Sequence, residues 1–151
     1  MSNEQQIVSA SIDVDAPAEV VFAILADPRQ HSRIDGSGSV RSVEGPERLS
    51  EGATFVARMR MFGAPYRITN TVVEFEADRR IAWRHFGGHR WRYLLEPLPG
   101  ERTRVTEQFD YSRYTGMSRR LVEVLRFPTR NRDGIEQTLV RLKDAAEQDR
   151  G

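Results

Sequence analysis

The chain has 151 residues, enough for one domain (1–151) with a sizeable core, and its 23 basic residues nearly balance 22 acidic ones for a formal charge of +1. That balance argues against a nucleic-acid module, which carries a clear basic excess on one face. The absence of cysteine removes disulfide frameworks and thiolate metal sites, and histidines at 31, 85 and 89 lack the helical spacing of a zinc protease, so no metal or cofactor is expected.

The opening MSNEQQIVSASIDV has no basic region followed by an apolar one, and no apolar run approaches the roughly 20 residues that span a bilayer. The expectation is a cytoplasmic protein without stable membrane insertion. Val8, Ala10, Ile12 and Val14 alternate with polar residues, which predicts a strand with one buried face. DAPAEVVFAILADP follows as a helix, with Pro17 near its start, Glu19 in its first turn and Val20, Val21, Ile24 and Leu25 as its apolar stripe. Pro28 ends it, and PRQHSRI predicts a second, short helix. In DGSGSV, Gly36 and Gly38 read as a turn, because no strand leads in and no third glycine follows as a phosphate loop requires. VRSVEGPERLSEG is a short strand and a polar loop. From Ala53 onward, ATFVARMRMF, YRITNTVVEFE, RIAWRHF, HRWRYLLEP and RTRVTEQFDYS are strands separated by the turn signals FGAP, EADR, GG and PLPGE. At the end, Ile135, Leu139, Leu142 and Ala146 form the stripe of one long amphipathic helix. MSRRLVEVLRFP before it is a separate helix or the first part of the same one, broken near Pro128.

The stretch IAWRHFGGHRWRYLLEP holds both tryptophans among arginines, a mixture that also grips single-stranded nucleic acid. Its register decides where the rings point. A two-residue turn at Gly87 and Gly88 places Trp83 opposite Arg92 and splits the tryptophans between faces. A three-residue loop, Gly87 to His89, places Trp83 opposite Tyr93, His85 opposite Trp91 and Ile81 opposite Leu95, with every hairpin arginine on the other side. A five-residue loop has the same parity and stays open. One-residue slips flip every side chain, so the parity with one apolar face is preferred. Thr103, Val105, Glu107, Phe109 and Tyr111 continue the pattern in one flanking strand, and Phe55, Ala57, Met59 and Met61 in another. The Tyr66–Phe75 strand is apolar on both parities and cannot be oriented, which leaves Asn70 unplaced. The rings then face a cup, either a filled core or a cavity, and the arginines Arg84, Arg90, Arg92 and Arg104 face water.

The order strand, two short helices, long curved antiparallel sheet and long C-terminal helix resembles the α+β helix-grip fold of the START-like, Bet v 1-like (SRPBCC) superfamily. More narrowly, SASIDVDAPAEVVFAILADP, VVEFEADRRIAWR, YLLEPLPGERTRVTEQFDY and RLKDAAEQ are similar to the bacterial polyketide cyclase/dehydrase and lipid-transport family. Ile34 stands where many relatives carry tryptophan, and Ala77 replaces a common proline. The resemblance implies a sheet wrapped around the last helix, with a cavity for an apolar or aromatic small molecule between them. The candidate ligand-binding residues are Phe55, Met59, Met61, Trp83, His85, Trp91, Tyr93, Glu107, Phe109 and Tyr111. His85 and Glu107 are the acid–base candidates, two strands apart and so about 9–10 Å between backbones. His31 and Asp35 read as a solvated surface pair. Three functions stay open: a binding or transport protein for a small hydrophobic ligand, an aromatase/cyclase-type enzyme, and a protein-interaction module. The protein is expected to act as a monomer or homodimer.

Overall fold

A computed structural model describes residues 7–36, 40–61, 63–84, 89–112 and 127–150. Strand β1 (Ile7–Val14) leads into helix α1 (Ala18–Leu25), a 3-10 turn (Pro28–Gln30) and the short helix α2 (His31–Ile34). Six strands follow: β2 (Val40–Glu44), β3 (Thr54–Met61), β4 (Ala64–Glu76), β5 (Arg80–Arg84), β6 (Arg90–Leu98) and β7 (Arg102–Asp110). Helix α3 (Phe127–Asp149) closes the chain. The strands form one seven-stranded antiparallel sheet in the order β1-β7-β6-β5-β4-β3-β2. Helix α3 lies against β1 and β7 and meets α1 and α2. This is the α+β helix-grip architecture that the order of elements implied.

Each helix is held by the face its sequence makes apolar. Val21, Phe22, Ile24 and Leu25 of α1 are buried, with the Phe22 ring edge-on to Phe75 of β4 at 5.4 Å. Ile135, Leu139, Leu142 and Ala146 of α3 are buried on the predicted stripe. Pro128 falls in the first described turn of α3, and the part of MSRRLVEVLRFP before Phe127 lies outside the described residues. Two polar contacts fix the joints. Thr103 Oγ1 donates to the Ala16 carbonyl at 2.8 Å, tying β7 to the entry of α1. Gly36 N–H donates to Thr138 Oγ1 at 2.9 Å, tying the exit of α2 to α3. A Cβ at residue 36 would lie 2.5 Å from the Thr138 backbone nitrogen, so glycine is required there by the closeness of the two helices.

Register explains the strand that the sequence left ambiguous. Phe55 pairs with Asn70, Ala57 with Ile68 and Met59 with Tyr66, so the even residues of β4 face inward at first. Val72 then pairs with Trp83, but Phe75 pairs with Ile81, and the ladder shifts between Val72 and Glu74. That bulge reverses the parity, which is why both parities of the strand are apolar. The β3–β4 turn is tighter than FGAP suggests. Met61 pairs with Ala64 and Gly63 takes φ 79°, so Pro65 belongs to the strand opposite Arg60.

Candidate functional site

The β5–β6 hairpin sets the centre of the concave face. Trp83 pairs with Trp91 and Ile81 with Tyr93, which is the register of the five-residue loop rather than the three-residue one. Parity is as preferred: Trp83, Trp91 and Tyr93 face inward, and Arg84 and Arg92 outward. Across the next ladder Trp91 pairs with Phe109, and Tyr93 with Glu107. The aromatic rings touch within two groups, one around Trp83 and one around Phe109. Trp83 lies 5.4 Å from Phe55 and 5.6 Å from Tyr93, Trp91 lies 4.9 Å from Phe109, and Phe109 lies 5.7 Å from Tyr111.

Phe55, Tyr93, Glu107, Phe109 and Tyr111 are buried, whereas Met59, Trp83 and Trp91 stay half-buried although they face inward. Met61 ends β3 opposite Ala64. His85 lies outside the described residues, so the acid–base pair read from the sequence, His85 with Glu107, has no described geometry.

Among the described residues, Glu107 is the one carboxyl in the middle of this apolar face, and only 4% of it is exposed. Burial drives its pKa well above the usual carboxylate range; a hydrogen bond from Tyr93 opposes this and the nearby charge of Asp35 adds to it. The Tyr93 hydroxyl is likewise pushed well up, by burial, then by the charge and hydrogen bond of Glu107. Glu107 Oε1 is buried and, among the described residues, has no hydrogen-bond partner.

Two residues at the rim differ from the surface pair expected of them. His31 is buried, stacked on Trp83 at 4.8 Å and edge-on to Phe55 at 5.1 Å. Its Nε2 lies 2.8 Å from the Leu25 carbonyl. Burial lowers its pKa, against the Leu25 bond and the charge of Asp27, so the ring is neutral near pH 7. The signal was in the spacing: Pro28, His31 and Ile34 follow at intervals of three, and all are buried. Ile34 is thus a core residue. Asp35 accepts from the Val40 N–H at 2.9 Å, and its charge reaches Glu107, Tyr93 and Tyr66. Asn70 is buried opposite Phe55 and was not placed by sequence.

The outer face is not uniformly solvated. Arg84 and Arg104 are exposed, but Arg90 and Arg92 converge on Glu74, each at 2.8 Å, and Arg92 also reaches Asp110 at 3.1 Å and Gln108 at 3.0 Å. Burial alone would raise the pKa of Glu74, but its bonds to Arg92 and Arg90 hold it below the usual value. Ala82, between Glu74 and Arg92 in the ladders, is fully buried on this side. The arginines of the hairpin therefore tie three strands together.

Residues 5–147 match the family model described as polyketide cyclase / dehydrase and lipid transport. The chain belongs to that family. It is 44% identical over 140 residues to the uncharacterized protein Rv0088 of Mycobacterium tuberculosis, a match covering 91% of this chain but 62% of that protein. The chain thus spans less than two thirds of the curated relative it matches. Among solved structures, protein NE0264 from Nitrosomonas europaea superposes with a TM-score of 0.74 at 17% identity, covering 99% of both chains. The Zhui aromatase/cyclase from Streptomyces sp. R1128 superposes with a TM-score of 0.63 at 20% identity, covering 94% of this chain and 93% of that one. At these identities the likeness is one of fold. Among the described residues, no helix is long and apolar enough to cross a membrane, and no cluster of side chains suits a metal ion.

Proposed function

We propose that this chain binds and carries a small hydrophobic or aromatic molecule, lipid- or polyketide-like, in an internal cavity on the concave face between the sheet and α3. One observation carries the reading. Trp83 and Trp91 stand opposite each other at the centre of the inner face, yet neither is fully buried. Inward indole surface left uncovered by the fold is surface that a flat apolar ligand can cover. The proposed contacts are Phe55, Met59, Met61, Trp83, His85, Trp91, Tyr93, Glu107, Phe109 and Tyr111. Because the chain has only these two tryptophans, its intrinsic fluorescence reports on the site. Titration with hydrophobic probes and aromatic alcohols is expected to quench that fluorescence saturably. A flat response across all classes would leave the face as an ordinary filled core.

A second reading is favoured by the Tyr93–Glu107 pair. A carboxyl whose pKa burial raises well above the usual range is poised to give a proton, as a general acid in an aromatase/cyclase-type reaction would. Under this reading Glu107→Gln keeps ligand affinity and lowers turnover of a polyketide-chain mimic by about 10²–10⁴-fold. Unchanged turnover in an assay with measurable product removes Glu107 as a catalytic residue.

A further inference from the structure

We propose that the ligand taken by the concave face is uncharged, with one hydroxyl, carbonyl or amide group directed at Tyr93 and Glu107, and that the site rejects carboxylates such as fatty-acid anions. The inference rests on the ligand-binding reading above and adds the charge class of the ligand.

It follows from which ionisable groups the fold turns inward. Every arginine of β3 to β7 stands on a position of outward parity, and Arg90 and Arg92 are further bound there by Glu74. The described groups on or beside the inner face are Glu107, Asp35, Tyr66, Tyr93, Tyr111, His31 and His89. Two of these are carboxyls, and the two histidines are held toward the neutral form by burial. An anionic head group inside the sheet would therefore come near the Asp35 charge and, among the described residues of β3 to β7, would itself find no inward lysine or arginine. Removing such a group from water without a partner is strongly unfavourable.

An uncharged polar group meets the opposite situation. Glu107 is 4% exposed, sits opposite Tyr93, and keeps one oxygen without a partner among the described residues. Trp83, whose ring centre is 5.6 Å from that of Tyr93, is half-buried and borders the same place. A ligand lying on the indoles thus brings its polar end within one residue pair of the open hydrogen-bonding capacity of Glu107. A cation is disfavoured because Glu107 is 4% exposed and burial raises its pKa well above the usual carboxylate range, opposing the ionised form that a cation would need.

The test is a matched series on the intact chain, followed by tryptophan fluorescence at pH 7.5: dodecanol, dodecanoate and dodecylamine, with naphthol against naphthoate as the aromatic pair. The uncharged members are expected to bind at least about tenfold more tightly than the carboxylates. Glu107→Leu should weaken dodecanol and naphthol by about five- to tenfold, whereas Glu107→Gln should keep their affinity. Asp35→Asn, which retains an oxygen for the Val40 N–H, should specifically improve the carboxylates; a purely structural Asp35 would change all ligands alike. Carboxylates or the amine binding as tightly as the alcohols would overturn the charge rule and leave the cavity standing. No saturable binding by any member would overturn the cavity reading, and the charge rule with it.

Discussion

Glu107 links packing to titration. Its folded pKa lies well above the unfolded value because burial disfavours the ionised form more than the Tyr93 bond supports it. The unfolded chain releases this proton first, so the stability Glu107 contributes is complete below the ordinary glutamate pKa and is lost as pH rises toward the folded value. Glu107→Gln removes the titration while nearly preserving shape. The two denaturation curves are expected to diverge in favour of the glutamine variant above the glutamate range, by up to about 1.4 kcal/mol per pH unit. Urea melts across pH 4 to 8 measure this, and parallel curves would show that Glu107 is ionised in the fold. His31 has the opposite sign. Its lowered pKa means that the stability it supports is present above the usual histidine value and is lost as pH falls. At this scale the sequence was partly readable. Alternation alone turned Glu107 and Tyr93 inward. The burial of His31 was missed because a histidine four residues from an aspartate on a short helix looks solvated, while the stacked Trp83 comes from a strand fifty-two positions away.

Elements were legible wherever their periodicity was clean. The α3 stripe, the β1 alternation and the inward parity of the β5–β6 hairpin follow from apolar spacing, because a shift by one residue would bury arginines. Loop length is less constrained than parity. Three and five residues both keep the rings together, and the ladder from Trp83–Trp91 selects five. In β4 the bulge between Val72 and Glu74 removes the single-parity pattern on which the sequence reading depended. It turns both Val72 and Phe75 inward while aiming Glu74 at Arg90 and Arg92. The joint between α2 and α3 gives the clearest mechanical prediction. Gly36→Ala places a methyl against the Thr138 backbone, which cannot yield as a flexible side chain would. The variant is expected to lose about 1–3 kcal/mol, measured by urea denaturation. Stability within a few tenths of the parent would mean that α2 shifts freely against α3. For comparison, Leu139→Ala, in the buried stripe of α3, is expected to lose about 2–5 kcal/mol.

On the scale of the whole molecule, the placement of charge decides whether arginine among aromatic rings signifies nucleic acid. The rings and the arginines occupy opposite faces, so no base could stack on Trp83 or Trp91 while its phosphate meets Arg84 or Arg92. Many of the outward arginines are also answered by acids. Arg58 pairs with Glu44 at 2.9 Å, Arg104 with Asp13 at 2.9 Å, and Arg92 with both Glu74 and Asp110. The edge formed by β2, β3 and β4 gathers the most positive charge: Arg41, Arg60 and Arg67, with the Glu44-paired Arg58, line a shallow cleft of about 440 Å³ with Met59 and Tyr66. Three or four phosphate contacts are the most this edge can make. With single-stranded nucleic acid that corresponds to a salt slope of about −2 to −3 in log–log form. Fluorescence anisotropy with a labelled single-stranded oligonucleotide is therefore expected to show weak, sequence-independent association at low salt. At about 150 mM salt that association should fall to the range of non-specific contacts, roughly 10⁻⁴ M or weaker. Arg60→Glu combined with Arg67→Glu should abolish what remains without changing the tryptophan response to hydrophobic probes. Tight binding at physiological salt that survives those two substitutions would place nucleic acid on a surface other than this edge and would reverse the assignment of the rings to an apolar ligand.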